Sequence, residues 1–152
     1  MKKAVTIDTN LLVLLIVGLT NTTYILRHKR LTPTYNAQHF ALIYRLLSEA
    51  PRVLCTPHIL TEASNLLRQI REPMRSEIMT TYGRFIQSAE EPTIPAKGVA
   101  QSPNFIRLGL TDAALLSLDP SEIRLLTVDH DLHIACSQRG FDVLNLTPYF
   151  YE

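Results

Sequence analysis

The chain has 152 residues, of which 46% are hydrophobic and 19% are charged; this composition is typical of a globular domain and too apolar for a disordered chain. Its 15 basic and 14 acidic residues give a net charge of +1, so any contact with nucleic acid must come from a local patch rather than from an overall field. The length predicts a single domain over residues 1–152 with room for a sizeable core.

The N-terminal stretch MKKAVTIDTNLLVLLIVG combines lysines with an apolar run and so resembles a secretory signal peptide. However, Asp8 and Asn10 interrupt the apolar stretch, and no small-residue cleavage site follows Gly18. No run reaches the ~18 apolar residues that a membrane span needs. Instead, residues 4–7 predict a short strand that ends at Asp8, and residues 11–17 predict a buried helix.

A polar segment at residues 21–35 contains the basic run Arg27-His28-Lys29-Arg30 and predicts a solvated loop. Beyond it, apolar residues at helical spacing alternate with short β-prone runs. Helices are predicted near residues 40–47, 57–70, 73–86 and 105–118 and before 139, strands at 52–56, 124–128 and 141–146, and a Pro-rich loop at 90–104. This alternation favours an α/β fold, a three-layer α/β/α sandwich around a central, mostly parallel sheet.

Cys55 and Cys136 lack the spacing of a zinc site, and two thiols are too few for a disulfide framework. They are therefore predicted to be buried and reduced, as free cysteines of intracellular proteins usually are. Together with the rejected signal peptide, they predict a cytoplasmic protein that makes no contact with a membrane.

Acidic side chains stand at unusual places in the predicted elements. Asp8 and Asp129 follow strands, and the carboxyl ends of parallel strands lie at one edge of a sheet, where ligands bind. Glu62 and Asp112 interrupt apolar helical stretches, where an unpaired charge is unfavourable. For each acid taken alone, a helix cap or a surface ion pair is an alternative.

Carboxylates that meet at this edge would need a partner. Two of them about 4 Å apart repel by roughly 4 kcal/mol at an effective dielectric near 20. A cluster would raise the pKa of each member or spread apart. A divalent cation removes the repulsion, and oxygen ligands favour Mg²⁺ or Mn²⁺ over zinc. Asp131 adds a further carboxylate and Thr127 a hydroxyl beside Asp129.

Four segments, taken in order, resemble the four acidic motifs of PIN-domain nucleases. They are Val-Thr-Ile-Asp-Thr-Asn (5–10), Leu-Thr-Glu-Ala (60–63), Leu-Thr-Asp-Ala-Ala (110–114) and Leu-Leu-Thr-Val-Asp-His-Asp-Leu (125–132). The resemblance implies a PIN-like domain whose catalytic metal ligands are Asp8, Glu62, Asp112 and Asp129. It also implies that Asp131 is a further ligand or positions a water, and that Asn10 and Thr127 orient the carboxylates.

The same resemblance implies a metal-dependent endoribonuclease that hydrolyses RNA phosphodiester bonds with Mg²⁺ or Mn²⁺. PIN domains of this size are often VapC-like toxins of toxin–antitoxin pairs, so a homodimer and an antitoxin partner are also implied. RNA phosphates would contact the basic side chains Arg27, Lys29, Arg30 and Arg68. Tyr24 and Tyr35 flank the basic run, where they would either stack on bases or pack against the protein.

Two other classes of function remain open. A non-catalytic PIN-like module would bind RNA or a partner protein without cutting. An aspartate-dependent phosphatase would use Asp8 as its nucleophile, but Asn10 stands where an Asp-x-Asp phosphatase has its second acid. A phospho-acceptor protein of the receiver type would carry its acceptor at the end of a later strand.

Overall fold

Three parallel strands form the sheet of this α/β fold in a computed structural model that describes residues 3–151. The strands are β1 (Ala4–Ile7), β2 (Ile123–Thr127) and β3 (Asp142–Asn145), and their spatial order is β1-β2-β3. β1 is fully buried and β2 nearly so, which explains why most of their residues are apolar. Both strand pairs are parallel, so the carboxyl ends of all three strands lie at the same edge.

Residues 52–56 do not form the predicted strand. Val53 makes an isolated parallel bridge to Val5, and Leu54 makes another to Glu90. The backbone N–H of Leu54 donates to the carbonyl of Val5 at 2.9 Å, so this short stretch still pairs with β1. Prolines lack a backbone N–H, and those at positions 51 and 57 confine the extended pairing to these few residues.

The helices begin and end close to most of the predicted positions. Three short helices, namely a 3₁₀ helix in the segment 21–35 and the helices α5 and α9, lie where a loop or no element was predicted. The helices are α1 (Thr9–Thr20), a 3₁₀ helix (Thr22–Leu26), α2 (Ala37–Ser48), α3 (Pro57–Leu67), α4 (Met74–Ser88), α5 (Ala96–Val99), α6 (Phe105–Leu108), α7 (Leu110–Leu116), α8 (His130–Gln138) and α9 (Thr147–Phe150).

The helix predicted over residues 105–118 is broken at Gly109 into α6 and α7. Gly109 has a φ angle of 85°, a left-handed conformation that residues with a Cβ rarely adopt. As a result, Asp112 lies in the first turn of α7 and not in the middle of a longer helix. A carboxylate in a first turn interacts favourably with the helix dipole, which is one reason for an acid in this apolar stretch.

Separated segments of the chain assemble into two compact units. Of the described residues, the first unit contains 3–8, Pro51–Ile59 and 90–151, and it therefore holds the sheet and α5 to α9. Its apolar core includes a cluster of Val99, Ala113 and Ala114. Cys55 and Cys136 are buried free thiols, as predicted.

The second unit comprises Thr9–Ala50 and Leu60–Ala89. Its central helix is α1, which packs against α2, α4 and the 3₁₀ helix. Residues 11–18 are all buried, which confirms the predicted buried helix. Gly18 permits a close approach to α2, because an ideal Cβ built there would lie only 2.1 Å from Cδ1 of Phe40. Over residues 3–151, no helix has both the length and the apolar character to cross a membrane.

Candidate functional site

The carboxylate of Asp8 is held by the end of the neighbouring strand. Asp8 directly follows β1, and its Oδ2 accepts hydrogen bonds from the hydroxyl of Thr127 and, at 3.2 Å, from the backbone N–H of Val128. Asp8 is only 8% exposed and Thr127 is fully buried. The parallel register of β1 and β2 brings these residues together across 119 positions of the chain. This contact is the kind expected of a side chain that orients a carboxylate.

The Thr127 hydroxyl also reaches Asp129. It accepts a hydrogen bond of 2.9 Å from the backbone N–H of Asp129, so a single hydroxyl links the Asp8 carboxylate to the start of α8. Oδ1 of Asp129 in turn accepts from the N–H of Leu132 at 3.0 Å and caps α8. Asp129 is therefore a helix cap, which was the alternative to a metal ligand. The capping hydrogen bond uses only Oδ1 of its carboxylate. Oδ2 of Asp129 has no hydrogen-bond partner within residues 3–151, and the residue is exposed.

Asp112 lies close to α8 in the same unit. It is half-buried in the first turn of α7, which packs against α8. Burial raises the pKa of the Cys136 thiol on α8 to about 12, and the negative charge of Asp112 acts in the same direction. The thiol therefore stays protonated near neutral pH.

Glu62 lies on α3 in the second unit and is exposed. Its Oε1 accepts a hydrogen bond of 3.2 Å from the hydroxyl of Thr9, the first residue of α1. Sequence reasoning did not single out Thr9, although it stands directly after Asp8 in the first acidic motif. The signal that could have identified Thr9 is its hydroxyl group directly after Asp8.

Asn10 and Asp131 are both exposed, in the first turns of α1 and α8. The side chain of Asn10 makes no hydrogen bond to any residue from 3 to 151, so it does not orient a carboxylate in this structure. Within the same range, no three His, Cys, Asp or Glu side chains are grouped so that they could hold a metal ion. The oxygen donors fit Mg²⁺ or Mn²⁺ in chemical type, but their spacing does not form a ready-made metal site.

His28 corrects the prediction that residues 27–30 belong to a solvated loop. Arg27, Lys29 and Arg30 are exposed, but His28 between them is fully buried. Its Nδ1 accepts a hydrogen bond of 3.2 Å from the backbone N–H of Arg30. The ring proton therefore resides on Nε2, which donates to the carbonyl of Leu67 at 3.1 Å. His28 thus connects the basic run to Leu67, the last residue of α3, by a hydrogen bond.

The two tyrosines that flank the basic run are tied into the protein. Tyr35 is buried and makes an edge-to-face contact with His39, with ring centroids 6.1 Å apart, so it packs and cannot stack on bases. Tyr24 is half-buried, and its hydroxyl donates to Oε1 of Glu77 on α4 at 2.9 Å. This hydrogen bond raises the pKa of Tyr24.

Replacing Thr127 with Val tests the bridge between Asp8 and Asp129. Val keeps the shape of the side chain but removes the hydroxyl, so a buried carboxylate oxygen loses a donor and the Asp129 N–H loses its acceptor. We expect the free energy of unfolding, measured by urea denaturation, to fall by about 1–3 kcal/mol. Thr127→Ser, which retains the hydroxyl, should lose less. Equal losses in the two variants would mean that the bridge does not contribute.

The protonation of His28 gives a pH dependence with a definite sign. Burial, aided by the charges of Arg30 and Lys29 and opposed by the Leu67 carbonyl, lowers the pKa of His28 below its usual 6.5. The unfolded chain therefore binds more protons, and stability falls as the pH drops below about 6.5. Urea denaturation between about pH 7 and pH 5 should show this loss, and His28→Gln should flatten it. A slope that His28→Gln leaves unchanged would mean that His28 is not its source.

No protein-family model and no curated protein sequence matches this chain. The resemblance to PIN-domain nucleases therefore rests on the four acidic motifs, and a function has to be argued from the site itself. The site has one well-defined part in the first unit, in which Asp8, Thr127 and Asp129 are linked by hydrogen bonds beyond β1 and β2.

Proposed function

We propose that this protein is a metal-dependent endoribonuclease with a PIN-like fold. One observation carries the proposal: a buried aspartate at the carboxyl edge of a parallel sheet is held by a threonine that also binds the next acid, Asp129. In open α/β sheets this edge is where ligands bind. Both named donors to Oδ2 of Asp8 are neutral, so they orient the carboxylate without neutralising its charge.

In this proposal a Mg²⁺ or Mn²⁺ ion is held by the principal acids, Asp8, Glu62, Asp112 and Asp129, with Asp131 as an additional ligand. When bound, such an ion activates water and offsets the negative charge that develops on a phosphodiester during hydrolysis. The protein's own part is to hold Asp8 through Thr127 and Val128, and to keep Oδ2 of Asp129 available while Oδ1 caps α8.

The proposal extends to the architecture and setting that the resemblance implies. The parallel sheet would be the centre of a three-layer α/β/α sandwich forming one domain. The protein would act in the cytoplasm as a homodimer, and as a toxin it would be kept inactive by an antitoxin that covers the site. Expression together with candidate antitoxins from neighbouring genes, followed by co-purification, tests the last point.

Metal dependence is the direct test of the proposed activity. Purified protein incubated with end-labelled single-stranded RNA should produce discrete fragments on a denaturing gel when Mg²⁺ or Mn²⁺ is present, because the acids need a cation to bind phosphate. Excess EDTA should stop the cleavage, and added Mn²⁺ should restore it. A parallel reaction with single-stranded DNA determines whether cleavage requires the ribose 2′-hydroxyl. Cleavage that persists in EDTA would show that a contaminant or a different chemistry is responsible.

A non-catalytic RNA-binding module is the second candidate. The observation that favours it is the absence, among residues 3–151, of three grouped side chains able to bind a metal. Such a module would bind the same labelled RNA in a filter assay but leave it intact at every metal concentration. Binding with no cleavage would therefore select this alternative.

A further inference from the structure

We propose that four exposed cations of the second unit form one phosphate-binding surface for single-stranded RNA, which we call the basic surface: Arg27, Lys29, Arg30 and Arg68. The inference deepens the proposed function and depends on it only for the choice of RNA as the polyanion. It makes His28 a positioning residue, because this buried and neutral side chain holds the surface together without contacting the ligand.

The histidine joins two segments that are distant in the chain. Its Nε2 donates to the carbonyl of Leu67, directly before Arg68, and its Nδ1 accepts from the backbone of Arg30. The backbone N–H of Leu31 also donates to the carbonyl of His28, at 2.9 Å. Arg27, Lys29 and Arg30 are therefore presented beside the end of α3 on a turn with a defined conformation. A surface held in advance loses less conformational entropy on binding than a free loop would.

The charge of the basic surface is available for a ligand. All four side chains are exposed, and none of them forms an ion pair within residues 3–151. Two carboxylates interact with residues beside the surface: Glu77 accepts the hydroxyl of Tyr24, and Glu72 accepts the N–H and hydroxyl of Ser76 at 2.8 and 2.7 Å. Such hydrogen bonds from neutral groups do not remove a carboxylate's charge, and Glu72 attracts Arg68 electrostatically, although these two side chains form no ion pair. In a chain of net charge +1, these cations create a local positive field that favours a polyanion.

The surface offers contacts to phosphates and few to bases. Tyr35 is buried and supplies no aromatic platform. The ring of Tyr24 is half-buried and is held by the hydrogen bond from its hydroxyl to Glu77, so at most one partly covered ring could stack on a base. Arginine and lysine contacts to the backbone give affinity that depends on salt and little on sequence. We therefore expect the surface to grip RNA of any sequence and to leave selection of the cleaved bond to the acidic site.

The test uses the full chain with Asp8→Asn, so that bound RNA stays intact, and fluorescence anisotropy of a labelled single-stranded oligouridylate over a range of KCl concentrations. Replacing Arg30 and Arg68 with Gln should weaken binding and reduce the slope of log K against log [KCl] by about 1.4, since each phosphate contact on a single strand contributes about 0.7. The matched control is Arg84→Gln, an exposed arginine on α4, which should leave affinity and slope unchanged.

His28 is tested separately, because His28→Ala retains every charge of the basic surface. It should weaken RNA binding by about threefold or more, and His28→Gln, whose amide can still donate to the Leu67 carbonyl, should recover part of the loss. Tyr82→Phe removes a buried hydrogen bond to the carbonyl of Leu60 in the same unit. This variant controls for simple destabilisation and should bind RNA normally at a temperature where all variants are folded.

The outcomes separate this inference from the proposed function. Unchanged affinity after replacement of Arg30 and Arg68, or an equal loss in Arg84→Gln, would overturn the basic surface. Competition by polyglutamate as strong as that by single-stranded RNA would show that the surface binds any polyanion and would overturn its assignment to a phosphate backbone. If the wild-type chain binds RNA through these residues but never cleaves it, the surface stands and the nuclease proposal fails. If the wild-type chain cleaves RNA and the variants of Arg30 and Arg68 bind RNA with full affinity, the nuclease proposal stands and the basic surface fails.

Discussion

Asp8→Asn should abolish metal-dependent RNA cleavage while leaving the protein folded. The amide oxygen of Asn can still accept hydrogen bonds from the Thr127 hydroxyl and the Val128 N–H, so the end of β1 should keep its position. The negative charge, which a divalent cation requires, is lost. We expect kcat/KM for labelled RNA to fall at least about 100-fold, the scale seen when one stabilising group is removed from an active site. This corresponds to about 2.7 kcal/mol of transition-state stabilisation.

Asp119→Asn is the matched control for this experiment. Asp119 is an exposed aspartate of the first unit whose Oδ1 accepts the N–H and hydroxyl of Ser121 at 2.9 and 2.8 Å. Its carboxylate thus stabilises only the local turn with Ser121, and the variant should cleave RNA at the wild-type rate. Both variants should give the circular dichroism spectrum of the wild type. A folded Asp8→Asn protein that retained full cleavage would remove Asp8 from the active site and refute the proposed mechanism.

Gly18→Ala should destabilise the protein, although Ala is the better helix former. Gly18 lies inside α1, and the added Cβ would stand 2.1 Å from Cδ1 and 2.5 Å from Cγ of Phe40 on α2. The body of the ring cannot move aside as a flexible chain end does, so α1 and α2 must shift. We expect the free energy of unfolding to fall by about 1–3 kcal/mol, the usual effect of overpacking, measured by urea denaturation.

Gly83→Ala provides a control for helix propensity. Gly83 lies in the interior of α4, and a Cβ there would meet nothing within 4 Å. This substitution should therefore stabilise the protein by about 0.5–1 kcal/mol. Phe40→Ala combined with Gly18→Ala should be less destabilising than the sum of the single changes, because the contact is shared. A stabilising effect of Gly18→Ala alone would mean that α1 and α2 do not approach this closely.

The strands and the buried helix α1 could be predicted because their signals are local. Short apolar runs between turn-forming residues mark β1, β2 and β3, and a continuous run of aliphatic residues after Asp8 marks α1. The position of Asp8 and Thr127 at one edge followed from a general property of parallel strands, and the structure adds the hydrogen bond between them. The strand order and the register of the pairs came from the structure.

Other features depend on conformations and partners that are not encoded by one local pattern. Val53 and Leu54 have strand-forming neighbours but pair only through isolated bridges. Gly109 interrupts an otherwise apolar helical run, and only its φ angle of 85° shows that Asp112 begins a new helix. Predicting either feature requires the backbone path, since the same residues suit a longer strand or helix equally well.

The amino-acid sequence by itself determined the α/β class, the parallel strands and the acids that follow two of them, because hydrophobic period and strand direction leave few alternatives. Only the tertiary structure decided that His28, in a run of cations, is buried against the carbonyl of Leu67, and that one hydroxyl joins Asp8 to Asp129. The reason is physical: burial of a polar group depends on whether a distant segment supplies its hydrogen-bond partner, and that partner is chosen by the folded chain as a whole.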